Sequence, residues 1–259
     1  MDTKIKITLI QSHLFWEDTK KNLLNFESKI LNINQKTDLI ILPEMFNTGY
    51  SMNIEKLAEG MHGTSINWMK KIAHKLDCTL AGSILIKDKS QYFNRFLWVN
   101  ANGHIEFYDK KHLFNLNEES EVFEAGTEKK IFQLKGWKIC PLICFDLRFP
   151  VWCRNQEDYD LLIVIASWPE SRIEHWRTLL TARAIENQSY VIGVSRVGED
   201  ANNVYYSGDS MIIHPFGNIL FQKKDEEDVY TLNLNHEEIQ KTRKNYPFLG
   251  LRDPFEFLA

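Results

Sequence analysis

A thiol, a carboxylate and an ammonium stand far apart in this chain, each just after a run of residues with strand character. Cys144 ends Lys138-Ile139-Cys140-Pro141-Leu142-Ile143-Cys144 and is followed by Phe145-Asp146-Leu147-Arg148-Phe149-Pro150. A cysteine at such a strand-to-helix turn is pushed out of the sheet. The N–H groups that open the helix then face it and stabilise both a thiolate and an oxyanion formed beside it. Pro150 suits a first helical turn, where a missing N–H costs nothing. Glu44 follows Asp38-Leu39-Ile40-Ile41-Leu42-Pro43, where a charged group is costly unless solvated, paired or functional. Lys110 lies in Tyr108-Asp109-Lys110-Lys111-His112-Leu113-Phe114, where a hairpin strand ends. Thiol attack on a carbonyl, with a base for the proton and a cation for the oxyanion, is the chemistry such a set performs. Each residue also has a plain reading: a buried hydrophobic cysteine, a solvated strand-end carboxylate, a loop lysine. A histidine base is the other option. His112, His175 and His214 are the candidates, in a polar loop, on a helix face and in a turn.

The elements that must position these groups follow from periodicity. Residues 5, 7 and 9 alternate apolar with polar neighbours as a first strand, and 38–42 is a continuous apolar strand of the kind buried on both faces. The spacing of Leu23, Phe26, Ile30 and Ile33 predicts a helix over 16–34; Trp68, Ile72 and Leu76 predict another over 64–76, with Thr64 as its cap. Strands follow at 79–85, 92–99 and 104–108, the last two turning through Asn102-Gly103. Residues 110–126 form a long polar, acidic excursion. The second part repeats the pattern, with strands at 131–134, 137–143 and 160–166, a helix at 173–187 and a strand at 190–195. Antiparallel strands at 205–213, 218–222 and 229–234, a helix at 236–243 and an aromatic tail complete it. Strand, helix, strand thus occurs twice, which predicts two related sheets with helices outside both.

At 259 residues with 44% hydrophobic residues, the chain is expected to form one large α/β domain over 1–259, with the tail at about 247–259. A net charge of −4 argues against nucleic acid or an anionic membrane as a partner. The N-terminus reads as a strand rather than a signal peptide, and no apolar run is long enough to span a bilayer. Four cysteines in such a chain read as reduced thiols in the cytoplasm, without the paired spacing of a metal site.

Taken together, Leu42-Pro43-Glu44, Tyr108-x-Lys110-x-His112-Leu113-Phe114 and Ile143-Cys144-x-Asp146-x-Arg148-Phe149-Pro150 resemble the three signatures of the nitrilase superfamily of carbon–nitrogen hydrolases, in the family's order. Ser167-Trp168-Pro169 and Thr181-Ala182-Arg183-Ala184-Ile185-Glu186-Asn187 extend the resemblance. The stretches around Lys110 and Cys144 and the tail look like the bacterial omega-amidase branch. The resemblance implies a four-layer α-β-β-α sandwich, catalysis by Glu44, Lys110 and Cys144, and a second glutamate at Glu119. Ala125 stands where the family commonly has proline. It implies an oxyanion hole from the Phe145 backbone N–H and Lys110, no metal or organic cofactor, a small-molecule amide substrate, and a homodimer to which the tail contributes. On the omega-amidase reading, Met45, Phe46 and Trp168 wall a short pocket and Arg172 holds a distal carboxylate. A carbamoylase, another aliphatic amidase and a non-catalytic binding module are the alternative readings.

Overall fold

The computed structural model describes residues 3–115 and 119–257. Residues 116–118 of the expected acidic excursion, and the outermost residues of the first strand and the tail, lie outside this range. The first half runs β1 (Lys4–Gln11), α1 (Thr19–Leu31), β2 (Leu39–Ile41), α2 (Ile54–Leu57), α3 (Thr64–Leu76), β3 (Thr79–Asp88), β4 (Gln91–Val99) and β5 (Ile105–Asp109). After the short α4 (Glu119–Val122) come β6 (Phe132–Leu134), β7 (Trp137–Ile143), α5 (Pro150–Cys153), β8 (Leu161–Ala166), α6 (Ile173–Asn187) and β9 (Tyr190–Ser195). The chain ends with β10 (Val197–Glu199), β11 (Tyr205–Ile213), β12 (Ile219–Lys224), β13 (Asp228–Asn235) and α7 (His236–Asn245).

The two halves build sheets of the same polarity. In the first, β1, β2 and β3 are parallel and β4 and β5 follow antiparallel. In the second, β7, β8 and β9 are parallel and β11 and β12 follow antiparallel. Each carries one antiparallel strand outside its first: β13 beside β1, and β6 beside β7. Thus β13, in sequence the neighbour of β12, crosses back to the first sheet.

Side-chain alternation assigns each residue to a layer. Leu39 and Ile41 of β2, with Phe96 and Trp98 of β4, join the core shared with the second sheet. Ile40, Leu97 and Val99 point the other way, onto Phe26 and Ile30 of α1 and Ile66, Met69 and Ile72 of α3. The strand β8 is buried throughout because Trp176, Leu180 and Ala184 of α6 cover its outer face. The result is the four-layer α-β-β-α sandwich. Helix α1 starts later than the periodicity suggests because Asp18 caps it, accepting from the Lys21 N–H at 3.0 Å. Thr64 is the first residue of α3 rather than its cap; the Glu59 carboxylate instead accepts from the Ser65 N–H at 2.8 Å. In the tail, Phe257 packs on Trp152 of its own chain, centroids 4.8 Å apart, while Phe248 and Leu251 are exposed. Among the described residues no helix is long and apolar enough to cross a membrane.

Candidate active site

Glu44, Lys110, Cys144 and Ser167 all lie at or just beyond the ends of strands, and the two stacked sheets bring those ends together. Lys110 is 1% exposed and Glu44 and Glu119 are fully buried. The Lys110 ammonium donates to both oxygens of Glu119 at 2.9 Å and to Glu44 Oε1 at 3.1 Å. Asn94 Nδ2 donates to the same Glu44 oxygen at 2.9 Å, and the Ser167 N–H donates to Glu44 Oε2 at 2.7 Å. Both oxygens of the buried carboxylate are therefore held. Glu119 also accepts from the Phe114 N–H at 2.6 Å, which ties the loop after Lys110 to the cluster.

Cys144 comes directly after β7 with φ of 47°, a left-handed conformation that costs a non-glycine residue about 1–2 kcal/mol. The turn is fastened by Asp146, which is fully buried. Its Oδ2 accepts from the Ile143 N–H at 3.1 Å and the Tyr108 hydroxyl at 2.7 Å, and its Oδ1 from the His112 N–H at 2.9 Å. One carboxylate thus registers the cysteine turn against the lysine loop. The chain makes a 3₁₀ turn over Cys144–Arg148 before Pro150 opens α5, so the expected single helix is split.

Burial, and then the charge of Glu44, raise the Cys144 thiol well above its ordinary range, and Lys110 opposes this only in part. Burial alone would lower Lys110, but Glu119 and Glu44 outweigh it and hold the ammonium well above its usual value. One ammonium between two carboxylates leaves a net negative charge, so a resting thiolate would add a second. The arrangement favours a neutral thiol. The histidines are engaged elsewhere. His112 Nδ1 lies 2.9 Å from Asp146, His175 Nδ1 lies 3.1 Å from Arg148, and His214 faces Glu238 at 3.9 Å.

A cavity of about 710 Å³ opens onto Cys144. Trp16, Tyr50, Phe114, Phe145, Trp168 and Tyr206 supply aromatic walls, and Arg148 and Arg172 are its cations. Arg148 lies over Trp168 at 4.8 Å and Arg172 over Phe114 at 5.3 Å. Burial, and next the charge of Arg172, lower the pKa of Arg148.

Trp168 and Arg172 line the cavity, but Met45 and Phe46, expected to wall it, do not. Both are fully buried. Met45 packs with Leu57, Leu85 and Phe123, and Phe46 sits under the outer helices against Phe26 and Trp68, centroids 5.7 and 5.9 Å away. The turn after Pro43 passes through a left-handed Met45, φ 44°, which returns the chain onto the sheet's outer face. Gly82 leaves room there: a Cβ would lie 2.9 Å from the Phe46 ring. Sequence reasoning also gives no role to Asn94, Tyr50, Ser167 or Arg148. Asn94 has a signal, since it shares the parity of Phe96 and Trp98 on the inner face of β4. The Tyr50 hydroxyl and Ser167 Oγ are buried at the cavity and make no hydrogen bond to the described residues.

Comparison with known proteins agrees with this architecture. The carbon–nitrogen hydrolase family model matches residues 6–244. The chain is 41% identical over 256 residues to omega-amidase YafV of Yersinia enterocolitica, covering 98% of this chain and 99% of that one. It is 33% identical over 249 residues to 2-oxoglutaramate amidase of Bacillus subtilis, covering 94% and 96%. Among solved structures, XC1258 from Xanthomonas campestris, a CN-hydrolase superfamily protein with an arsenic adduct in the active site, superposes with a TM-score of 0.95 at 36% identity, covering 98% of this chain and 99% of that one. A sandwich of two equivalent sheets that joins a buried glutamate and lysine with a half-buried cysteine at their strand ends, matched over nearly the whole length, places the chain in the carbon–nitrogen hydrolases of the nitrilase superfamily, on the omega-amidase branch, as an amidase-type hydrolase.

Proposed function

We propose that the protein hydrolyses the terminal amide of a small dicarboxylate monoamide, 2-oxoglutaramate or 2-oxosuccinamate, to the 2-oxo acid and ammonia. The observation that carries this is the pair of guanidiniums, Arg148 and Arg172, in the cavity that holds Cys144; no carboxylate among the described residues pairs with either. A substrate carboxylate would relieve their repulsion and fix the amide at the far end toward the thiol. The relatives named omega-amidase and 2-oxoglutaramate amidase support the same class.

In this reading Glu44 takes the Cys144 proton as sulfur attacks the amide carbon. The developing oxyanion is held by Lys110 and the Phe145 backbone N–H. Glu44 then gives the proton to the departing nitrogen, the C–N bond breaks, and ammonia leaves a thioester on Cys144. Water attacks next, giving its proton to Glu44; the acid departs and the proton returns to sulfur. Glu119 keeps Lys110 charged and in place. None of these steps calls on a metal or organic cofactor.

The test compares kcat/KM for 2-oxoglutaramate, propionamide and an N-carbamoyl amino acid. The dicarboxylate monoamide should exceed propionamide by about 100-fold, and Arg172→Met should remove most of that margin by harming the charged substrate. Equal efficiency on propionamide in the native enzyme refutes the substrate assignment. Preference for the N-carbamoyl amino acid supports the carbamoylase alternative.

A further inference from the structure

We propose that Ser167 Oγ is the acceptor that holds the amide nitrogen of the substrate, making this residue the selector for an –NH2 leaving group. The inference rests on the Cys144 and Glu44 chemistry proposed above. Ser167 directly follows β8, whose end faces the end of β2, and its backbone N–H donates to Glu44 Oε2 at 2.7 Å. The residue whose backbone fixes the proton carrier also lines the cavity that holds Cys144. Its hydroxyl is buried at the cavity and has no hydrogen-bond partner among the described residues. A buried polar atom left unpaired costs free energy, and a ligand group that pairs with it recovers that cost.

The amide nitrogen is the complementary group. Glu44 must protonate it, so it passes within hydrogen-bond reach of that carboxyl group, and its N–H bonds need an acceptor. Lys110 offers only donors; Glu44 Oε1 already accepts from Lys110 and Asn94, and the one open site on Oε2, beside the Ser167 N–H, is where the proton taken from Cys144 must sit. Accepting one N–H at Ser167 Oγ fixes the amide plane. As the carbon becomes tetrahedral, the nitrogen lone pair then develops toward protonated Glu44. The C–N bond breaks with its electron pair on nitrogen, the Glu44 proton joins it, and Ser167 neither gains nor loses a proton.

Each half of the test uses the same protein. Ser167→Ala should lower kcat/KM for 2-oxoglutaramate by about tenfold or more, because an N–H loses its acceptor. The corresponding ω-methyl ester, which has no N–H on its leaving atom, should lose far less in Ser167→Ala, so that the amide-to-ester ratio of kcat/KM falls by about tenfold. Ester turnover also reports that the variant is folded and that its nucleophile works. Equal loss on amide and ester overturns the proposal and moves Ser167 to the carbonyl side or to a purely structural role. Unchanged amide turnover overturns it as well. Failure of the native enzyme on every amide, with the ester still cleaved, would instead count against the amidase reading.

Discussion

The replacement Glu119→Gln separates what holds the lysine from what tunes the thiol. Glu119 makes two 2.9 Å contacts to the Lys110 ammonium, and at that distance unit charges attract by about 6 kcal/mol at an effective dielectric constant of about 20. Glutamine keeps the shape and one acceptor oxygen, which can still serve Phe114, but its amide turns N–H toward the ammonium. The net cost to the cluster is about 3 kcal/mol, as for other broken buried pairs. Lys110 then leans on its remaining carboxylate, Glu44, and weakens it as a base, so kcat should fall by about 100-fold. The thiol should respond in the opposite sense. Glu119 is one of the charges that raise the Cys144 pKa, so its removal lowers that pKa and increases the thiolate at neutral pH. Alkylation by iodoacetamide, followed by mass spectrometry at Cys144, should therefore be faster in Glu119→Gln than in the native enzyme while turnover is slower. In the native protein the alkylation rate should still be climbing at pH 9, because the thiol titrates well above its ordinary value of 9.0. A plateau below pH 8, or parallel loss of alkylation and turnover in the variant, would refute the neutral-thiol, charged-cluster account.

The same contacts lead to further outcomes. Cys144→Ala should fold and lose essentially all amidase activity, whereas Cys140→Ala, in the sealed core, should lose only about 1 kcal/mol of stability and keep most of it; denaturant melts and ammonia release check both. Lys110→Gln should abolish turnover and leave two carboxylates facing each other, while Lys111→Gln should change little, because the Lys111 ammonium lies over the Trp152 ring at 5.6 Å. Asp146→Asn should cost about 1–3 kcal/mol of stability and reduce kcat, since an amide must point its N–H at the backbone N–H of either Ile143 or His112. A fully stable, active Asp146→Asn would mean that the cysteine turn is held by other contacts.

Much of this molecule is written locally. The helix at 173–187 and the strands at 137–143, 190–195 and 205–213 have the bounds their patterns indicate, because apolar periodicity and flanking polar residues act over one element at a time. The order of residue types around Glu44, Lys110 and Cys144 is likewise legible, since spacing along the chain is itself sequence information. Three-dimensional contacts decided the rest. Phe46 and Met45 come directly after Glu44, yet a left-handed turn and the space above Gly82 send them into the core, away from the cavity. β13 succeeds β12 along the chain but pairs with β1 on the other sheet, where the apolar rows of Leu232 and Leu234 complete the inner face. Asn94 and Ser167 gained their places only when segments 50 and 123 residues away from Glu44 in the chain were brought to it. Periodicity fixes which face a side chain occupies within its own element; which two faces meet depends on burial summed over the whole chain.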